Sequence, residues 1–318
     1  MPLIGMFTNL KATDPEKVMR RNAFLIGLQA EVASSPNLKK IRFLSRHADR
    51  GALEGPDPMS PDQEYNDKAA QLANKHADVY VASCWPTMNA LITATGTNDK
   101  IVIAGMFDPK PPTGYYGPKV YGFLSFDLSI ADAWIKRLKS FTKAGGAAIN
   151  KVGVVYDIRV DNKRTKALFD AINAAATANG LGAAVPIEVR RYDLEDKIGN
   201  FATTYSAGGL IVPAGTFTAI HRGDVVQYIN NNGIPAVYAN RLYINSGGLA
   251  SYGADLLDLY EKAGRYAGKI LKGDTIAMKV VPNSSSELVV NAVLAKKQLN
   301  TGASNQLLAD ADVIYDES

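Results

Sequence analysis

The sequence predicts an α/β protein of two doubly wound parallel-sheet lobes joined by a hinge. Three observations lead there. Short apolar runs rich in β-branched residues alternate with longer amphipathic helical patterns, as in parallel sheets covered on both faces. The order of strands and helices restarts near residue 127 at similar spacing. The chain has 318 residues, long enough for two domains of ordinary size.

The first half reads strand 2–8, helix 14–34, strand 40–46, helix 62–77, strand 79–82, helix 86–95, strand 101–104 and strand 120–125. Asp14 is the N-cap of its helix, with Pro15 at the first helical position. Val18, Leu25, Leu28 and Val32 share one face. The second half reads helix 127–143, strand 152–156, helix 164–179, strand 187–192, helix 196–206, strand 210–212, helix 217–231, strand 235–239, strand 249–252 and helix 255–272. Ile130, Trp134, Leu138 and Phe141 line one helical face, and Leu256, Leu259, Tyr260, Ala263, Ala267 and Ile270 another. Two loops rich in Gly and Pro, 50–63 and 108–118, interrupt the pattern, and the second is a candidate link between lobes.

Composition excludes several classes. Hydrophobic residues make up 47% and charged residues 21%, which excludes a disordered chain. The net charge of +4 comes without a dense basic run, so nothing points to nucleic acid or a polybasic membrane surface. The single cysteine, Cys84, permits no intrachain disulfide. No apolar run approaches the ~18–20 residues of a membrane span. The first strand begins almost at Met1, with no basic segment before it, so no signal peptide is read.

Enzymatic signatures are missing. There is no P-loop, no Gly-rich dinucleotide turn after the first strand, no H-E-x-x-H and no C-x-x-C. Leu249 stands where a nucleophile elbow around Ser251 needs glycine. Cys84 is the one enzyme candidate. It lies between a strand and a helix N-terminus, where a thiol pKa can fall. The competing reading is a small buried hydrophobe at a strand end.

In doubly wound sheets, ligands bind outside the carboxyl ends of the strands. The first lobe places Thr8, Asn9, Ser83, Cys84, Trp85, Thr87, Phe107 and Asp108 there. The second places Tyr156, Asp157, Gly215, Thr216, Phe217 and Asn240 there. Aromatics mixed with hydroxyls, amides and two acids suit a small polar–aromatic molecule. In the 83–87 turn, Pro86 occupies the first turn of a helix. Free amides there, with the Ser83 and Thr87 hydroxyls, offer an anion seat. Trp85 is set to stack on a ring. The alternative is that Ser83 and Thr87 only cap the helix and Trp85 belongs to the core.

The C-terminal third carries a family resemblance. Gly247-Gly248-Leu249-Ala250-Ser251-Tyr252-Gly253, Asp258-Leu259-Tyr260, Ile270-Leu271-Lys272-Gly273 and Glu287-Leu288-Val289-Val290-Asn291 follow one another in order. Leu307-Leu308-Ala309-Asp310-Ala311-Asp312 looks like the family's ending. The whole resembles the ABC-transporter substrate-binding proteins of the tryptophan/tyrosine type, a branch with the type I periplasmic-binding-protein fold. The resemblance implies an extracytoplasmic or periplasmic receptor, a monomer without cofactor or metal and not an enzyme. Such a receptor captures an aromatic amino acid or related aromatic carboxylate between two lobes and delivers it to a membrane permease. It implies lobes 1–122 plus 250–280 and 123–249 plus 281–318, with Ser83, Thr87 and Asp108 around the ligand's carboxylate and ammonium. This chain departs from the family at residues 110–116, where relatives carry Arg-Pro-Gly-Gly-Asn, and at Trp85, where they carry small residues. A ligand sensor for signalling and an α/β enzyme using Cys84 are the other readings. No helix-turn-helix precedes the first strand, which counts against DNA binding.

Overall fold

The computed structural model describes residues 1–47, 61–96, 99–106, 119–157, 162–277, 280–283 and 285–316. The expected loops at 50–63 and 108–118 lie largely outside them, and Phe107 and Asp108 entirely so. The chain forms two compact units, Met1–Asp127 with Asp255–Ser284, and Leu128–Ala254 with Ser285–Ser318.

Unit 1 begins with strand β1 (Leu3–Thr8), helix α1 (Pro15–Val32), β2 (Arg42–His47), α2 (Pro61–Ala73), β3 (Val79–Ala82), α3 (Trp85–Thr95), β4 (Ile101–Met106) and β5 (Val120–Leu124). The chain then enters unit 2 with α4 (Ile130–Lys139), β6 (Lys151–Tyr156), α5 (Asn162–Ala178), β7 (Val185–Glu188), α6 (Leu194–Thr204), β8 (Gly208–Val212), α7 (Thr216–Ile220), α8 (Arg222–Asn231), β9 (Ala236–Tyr238) and β10 (Ala250–Gly253). It returns to unit 1 for α9 (Leu256–Lys272) and β11 (Val280–Val281), and finishes in unit 2 with β12 (Glu287–Asn291), α10 (Ala292–Gln298), α11 (Thr301–Ala309) and β13 (Val313–Tyr315).

The first sheet runs β11-β5-β4-β3-β1-β2 with every pair parallel. The second runs β13-β12-β10-β9-β8-β6-β7, parallel except for β10 against β12. β12 enters unit 2 directly from unit 1, so it meets β10 from the opposite direction. In both sheets the strand order reverses, between β1 and β3 and between β6 and β8. These reversals are the topological switch points at which doubly wound folds open a crevice.

Local chemistry sets the helix ends. Asp14 accepts the Glu16 N–H at 3.0 Å with Pro15 beside it, which starts α1. Asp255 accepts the Leu257 N–H at 2.9 Å to start α9, and Gly273 ends it in the left-handed region at φ 82°. α1 and α9 pack with backbones almost touching. A Cβ on Gly27 would lie 1.9 Å from the Glu261 carbonyl oxygen, and one on Gly264 would lie 2.0 Å from that of Phe24. In unit 2, Trp134 is fully buried and donates its Nε1–H to the Tyr252 carbonyl at 2.7 Å, tying α4 to β10.

The structure departs from the expected unit boundaries and elements at several points. The lobe boundary expected at 249/250 falls at 254/255, because β10 pairs with β9 and β12 inside the second sheet. The other two crossings lie at 127/128 and 284/285 rather than 122/123 and 280/281, after the edge strands β5 and β11 have paired. The strand expected at 187–192 is Val185–Glu188, since Asp193 accepts the Arg190 N–H at 2.6 Å and turns the chain. The single helix expected at 217–231 breaks at His221, whose backbone leaves the helical region while its ring lies tilted against Phe217, with ring centres 4.7 Å apart.

Candidate functional site

At the switch point of unit 1, the ends of β1 and β3 are laced together. Asn9 donates its backbone N–H to Ser83 Oγ at 3.1 Å, and that hydroxyl donates back to Asn9 Oδ1 at 3.1 Å. The Asn9 side-chain oxygen is thereby fixed, and its NH2 has no hydrogen-bond partner among the described residues. Thr8 Oγ1 accepts the Leu10 N–H at 3.2 Å and holds the turn that follows.

The start of α3 differs from the open anion seat the sequence offers. Thr87 is fully buried. Its hydroxyl accepts the N–H groups of Ser83 at 3.2 Å and Cys84 at 3.1 Å and donates to the Cys84 carbonyl at 2.8 Å. Cys84 and Thr87 form a reciprocal capping box, which directs the Thr87 N–H at the cysteine side chain. Pro86 has no N–H to offer. Thr87 therefore holds the turn in shape, with its hydroxyl fully engaged. Trp85 is buried in the core cluster with Phe7, Tyr65, Met88 and Leu91, so packing accounts for its bulk. Burial pushes the Cys84 thiol pKa up, against the opposing pull of Thr87, Ser83 and Arg20. At neutral pH it is a protonated thiol, the opposite of an activated nucleophile.

Around this turn lie residues that periodicity alone did not single out as functional. Arg20 on α1 is only 8% exposed and Glu16 only 4%. Arg20 Nε donates to Glu16 Oε1 at 2.8 Å, and the guanidinium sits 5.6 Å from the Tyr260 ring centre on α9. Burial disfavours its charge, but Tyr260 and Glu16 more than offset this, and Arg20 stays cationic. Tyr65, on α2 across the sheet, is buried against Phe7 at 5.7 Å. Its hydroxyl has no hydrogen-bond partner among the described residues. The signal available in the sequence was the Glu16/Arg20 spacing at the head of a helix that follows the first strand.

At the switch point of unit 2, Tyr156 ends β6 half-buried, its ring 5.5 Å from Phe169, and Asp157 beside it is buried. Gly215 is exposed and Thr216 partly so, at the start of α7. Phe217 is buried under His221. Thr218 was not foreseen. Its hydroxyl meets the Tyr243 hydroxyl at 2.8 Å and the carbonyls of Gly215 at 3.2 Å and Pro213 at 3.3 Å, which locks the 213–218 turn. Tyr243 stacks on Tyr238 at 5.2 Å. Asn240 Oδ1 accepts the Leu242 N–H at 3.1 Å, leaving the amide NH2 without a partner among the described residues. Arg241 next to it grips Glu287 at the start of β12 through Nε–Oε1, at 2.7 Å, and Nη2–Oε2.

Each unit thus has its described candidate residues at the carboxyl edge of its sheet, while Phe107 and Asp108 lie outside the described residues. Ser83 and Thr87 are engaged within the turn there, and Trp85 and Phe217 are packed in the core. Among the described residues no group of three or more His, Cys, Asp or Glu side chains is placed to hold a metal ion. No helix among them is long and apolar enough to cross a membrane.

Comparison with solved structures agrees with this architecture. A conserved domain protein from Vibrio cholerae O1 biovar El Tor superposes with a TM-score of 0.78 at 20% identity, over 99% of both chains. An ABC domain from Streptococcus pneumoniae, solved in complex with L-Trp, superposes at 0.75 and 19% identity over 98% of this chain and 100% of that one. A substrate-binding protein with adhesive properties from Clostridium difficile, in its ligand-free, open structure, reaches 0.63 at 22% identity over 93% and 94%. At these identities the likeness is one of fold. No curated protein sequence matches the chain. The family description "ABC transporter substrate binding protein" fits residues 61–314, most of the sequence, and the chain belongs to that family.

Proposed function

We propose that this protein is the solute receptor of an ABC importer, and that its solute is an aromatic amino acid or a related aromatic carboxylate. On this reading it works outside the cytoplasm as a monomer, closes its two lobes on the solute and presents the closed form to a membrane permease. The observation that carries the reading is the contrast between the two strand-end sites. One is the lacing of Asn9 to Ser83 at the ends of β1 and β3, which fixes the Asn9 amide and leaves its NH2 to donate to a carboxylate. The other is the end of β6, where the half-buried Tyr156 ring stands beside the buried Asp157, a pairing that suits a ring and an ammonium group. The L-Trp complex of the Streptococcus pneumoniae protein supports the same ligand class. Asp108 or Asp157 is proposed to take the ammonium group. The protonated Cys84 favours binding over catalysis.

A thermal-shift panel tests this. Unfolded and refolded protein, free of carried-over ligand, is heated with aromatic amino acids, aromatic carboxylates and branched-chain amino acids at ~1 mM. A ligand at ~100 times its dissociation constant adds ~2.7 kcal/mol, worth several degrees in a chain of this size. A shift with aromatic compounds alone is expected. A shift with branched-chain amino acids alone would sink the aromatic assignment.

A further inference from the structure

We infer that the Tyr243 hydroxyl is a positioning group for the ligand site of unit 2. Through Thr218 it pins the loop after β9 to the loop after β8, and so fixes where Asn240 stands relative to Gly215 and Thr216. The inference rests on the solute-receptor reading and deepens it by naming the bond that sets the shape of this strand-end site.

The register puts the two loops side by side. Val212 at the end of β8 pairs with Tyr238 at the end of β9, and Ala239 donates its N–H to the Val212 carbonyl at 3.1 Å. Past these residues both backbones leave the sheet at its carboxyl edge. The Thr218 and Tyr243 hydroxyls then meet at 2.8 Å, in residues that are 1% and 0% exposed.

The direction of the bond follows from counting hydrogens. Each hydroxyl has one to donate, and a carbonyl can only accept. All three contacts of Thr218 Oγ1 are satisfied when Thr218 donates to the carbonyls of Gly215, at 3.2 Å, and Pro213, at 3.3 Å, and accepts from Tyr243. A chain of donation thus runs from Tyr243 through Thr218 to the backbone of the 213–218 turn.

Packing holds both ends of that chain. A Cβ on Gly215 would come 3.1 Å from Thr218 Oγ1, so the hydroxyl lies close beneath the turn. The Tyr243 ring is stacked on Tyr238, with centres 5.2 Å and planes 19° apart. Gly248 makes room for this pair, since a Cβ there would lie 2.8 Å from the Tyr238 ring and 2.9 Å from the Tyr243 carbonyl oxygen. Groups held in place before a ligand arrives lose less freedom when it binds.

The test uses Tyr243→Phe, Thr218→Val, Thr218→Ser and the double variant Tyr243→Phe/Thr218→Val, each unfolded in urea and titrated calorimetrically with L-tryptophan. Thr218→Val strands the Tyr243 hydroxyl, whereas the double variant removes both partners and should unfold closer to wild type. Affinity is expected to behave otherwise. It should fall about 5-fold in Tyr243→Phe, in Thr218→Val and in the double variant alike, the scale of one neutral hydrogen bond, and hold in Thr218→Ser, which keeps the hydroxyl. Affinity that recovers with stability in the double variant marks a purely structural bond and overturns the inference, as does wild-type affinity in Tyr243→Phe. Hydrogen exchange reads the same claim without ligand. The amides of residues 214–218 should exchange faster in Tyr243→Phe and in the double variant, with those of β6 and β8 as in wild type, and unchanged exchange in the turn overturns the inference. If wild type does not bind L-tryptophan, the aromatic amino-acid reading fails and the exchange result decides this inference by itself.

Discussion

Among the described residues, each sheet has an arginine–glutamate pair near its carboxyl edge, and the two are built differently. Arg241 and Glu287 join the end of β9 to the start of β12 through two parallel bonds, with side chains 22% and 16% exposed. Arg20 and Glu16 lie on one helix, meet through a single nitrogen, and are buried to 10% and 5%. The first pair is closed and fastens a strand that returns from the other unit. The second stays within one helix and lies against the Tyr260 ring of α9, so it helps seat α1 on α9. The difference teaches that like pairs serve unlike ends, one fastening strands and the other seating helices.

The largest predicted effect comes from the tryptophans. Trp85→Ala should cost ~3–5 kcal/mol in urea unfolding, as for a large core side chain, and Trp134→Ala in unit 2 a similar amount. A Trp85→Ala protein of unchanged stability with weakened binding would return that ring to the ligand. Next is the helix pair of unit 1. Gly264→Val should cost ~1–3 kcal/mol or more by forcing α9 from α1, since the obstacle is backbone rather than a side chain that can turn away. Arg241→Gln should follow, at ~1–2 kcal/mol, with ligand affinity unchanged. That outcome sharpens the reading of this pair as a strand fastener, and a loss of affinity would break it.

The pH dependence is set by buried phenols in both units. Burial raises the pKa of Tyr65 and Tyr260 in unit 1 and of Tyr238 in unit 2. The folded chain keeps these groups protonated, while the unfolded chain ionises them near pH 10. The unfolded state then binds fewer protons, so stability is full below about pH 10 and falls as pH rises above it. Phenolate absorbance followed against circular dichroism checks this, and ionisation of all three without unfolding would contradict it. The smallest effect is expected at Gly223 of α8, where nothing lies within 4 Å of an added Cβ. Gly223→Ala should stabilise by ~0.4–1 kcal/mol.

Much of the fold was legible. Alternating strands and helices gave both sheets, and Asp14-Pro15 and Asp255 gave helix starts that hydrogen bonds reproduce. The break at His221 was not legible, because the helical pattern in the sequence runs on through it while the backbone there leaves the helical region. The strand-end positions of the site residues were readable from the alternation. The fate of their donors was not. Thr87 looks like a ligand hydroxyl in sequence and is engaged by backbone groups three and four residues before it. The burial of Arg20 was not legible either, because it depends on α9, far along the chain, packing on α1 with Tyr260 beside the guanidinium.

The most direct measurement is a crystal structure of the refolded chain with L-tryptophan. The account predicts the ligand carboxylate within hydrogen-bond distance of the Asn9 NH2, at the ends of β1 and β3. A ligand bound with its carboxylate away from those strand ends would contradict it.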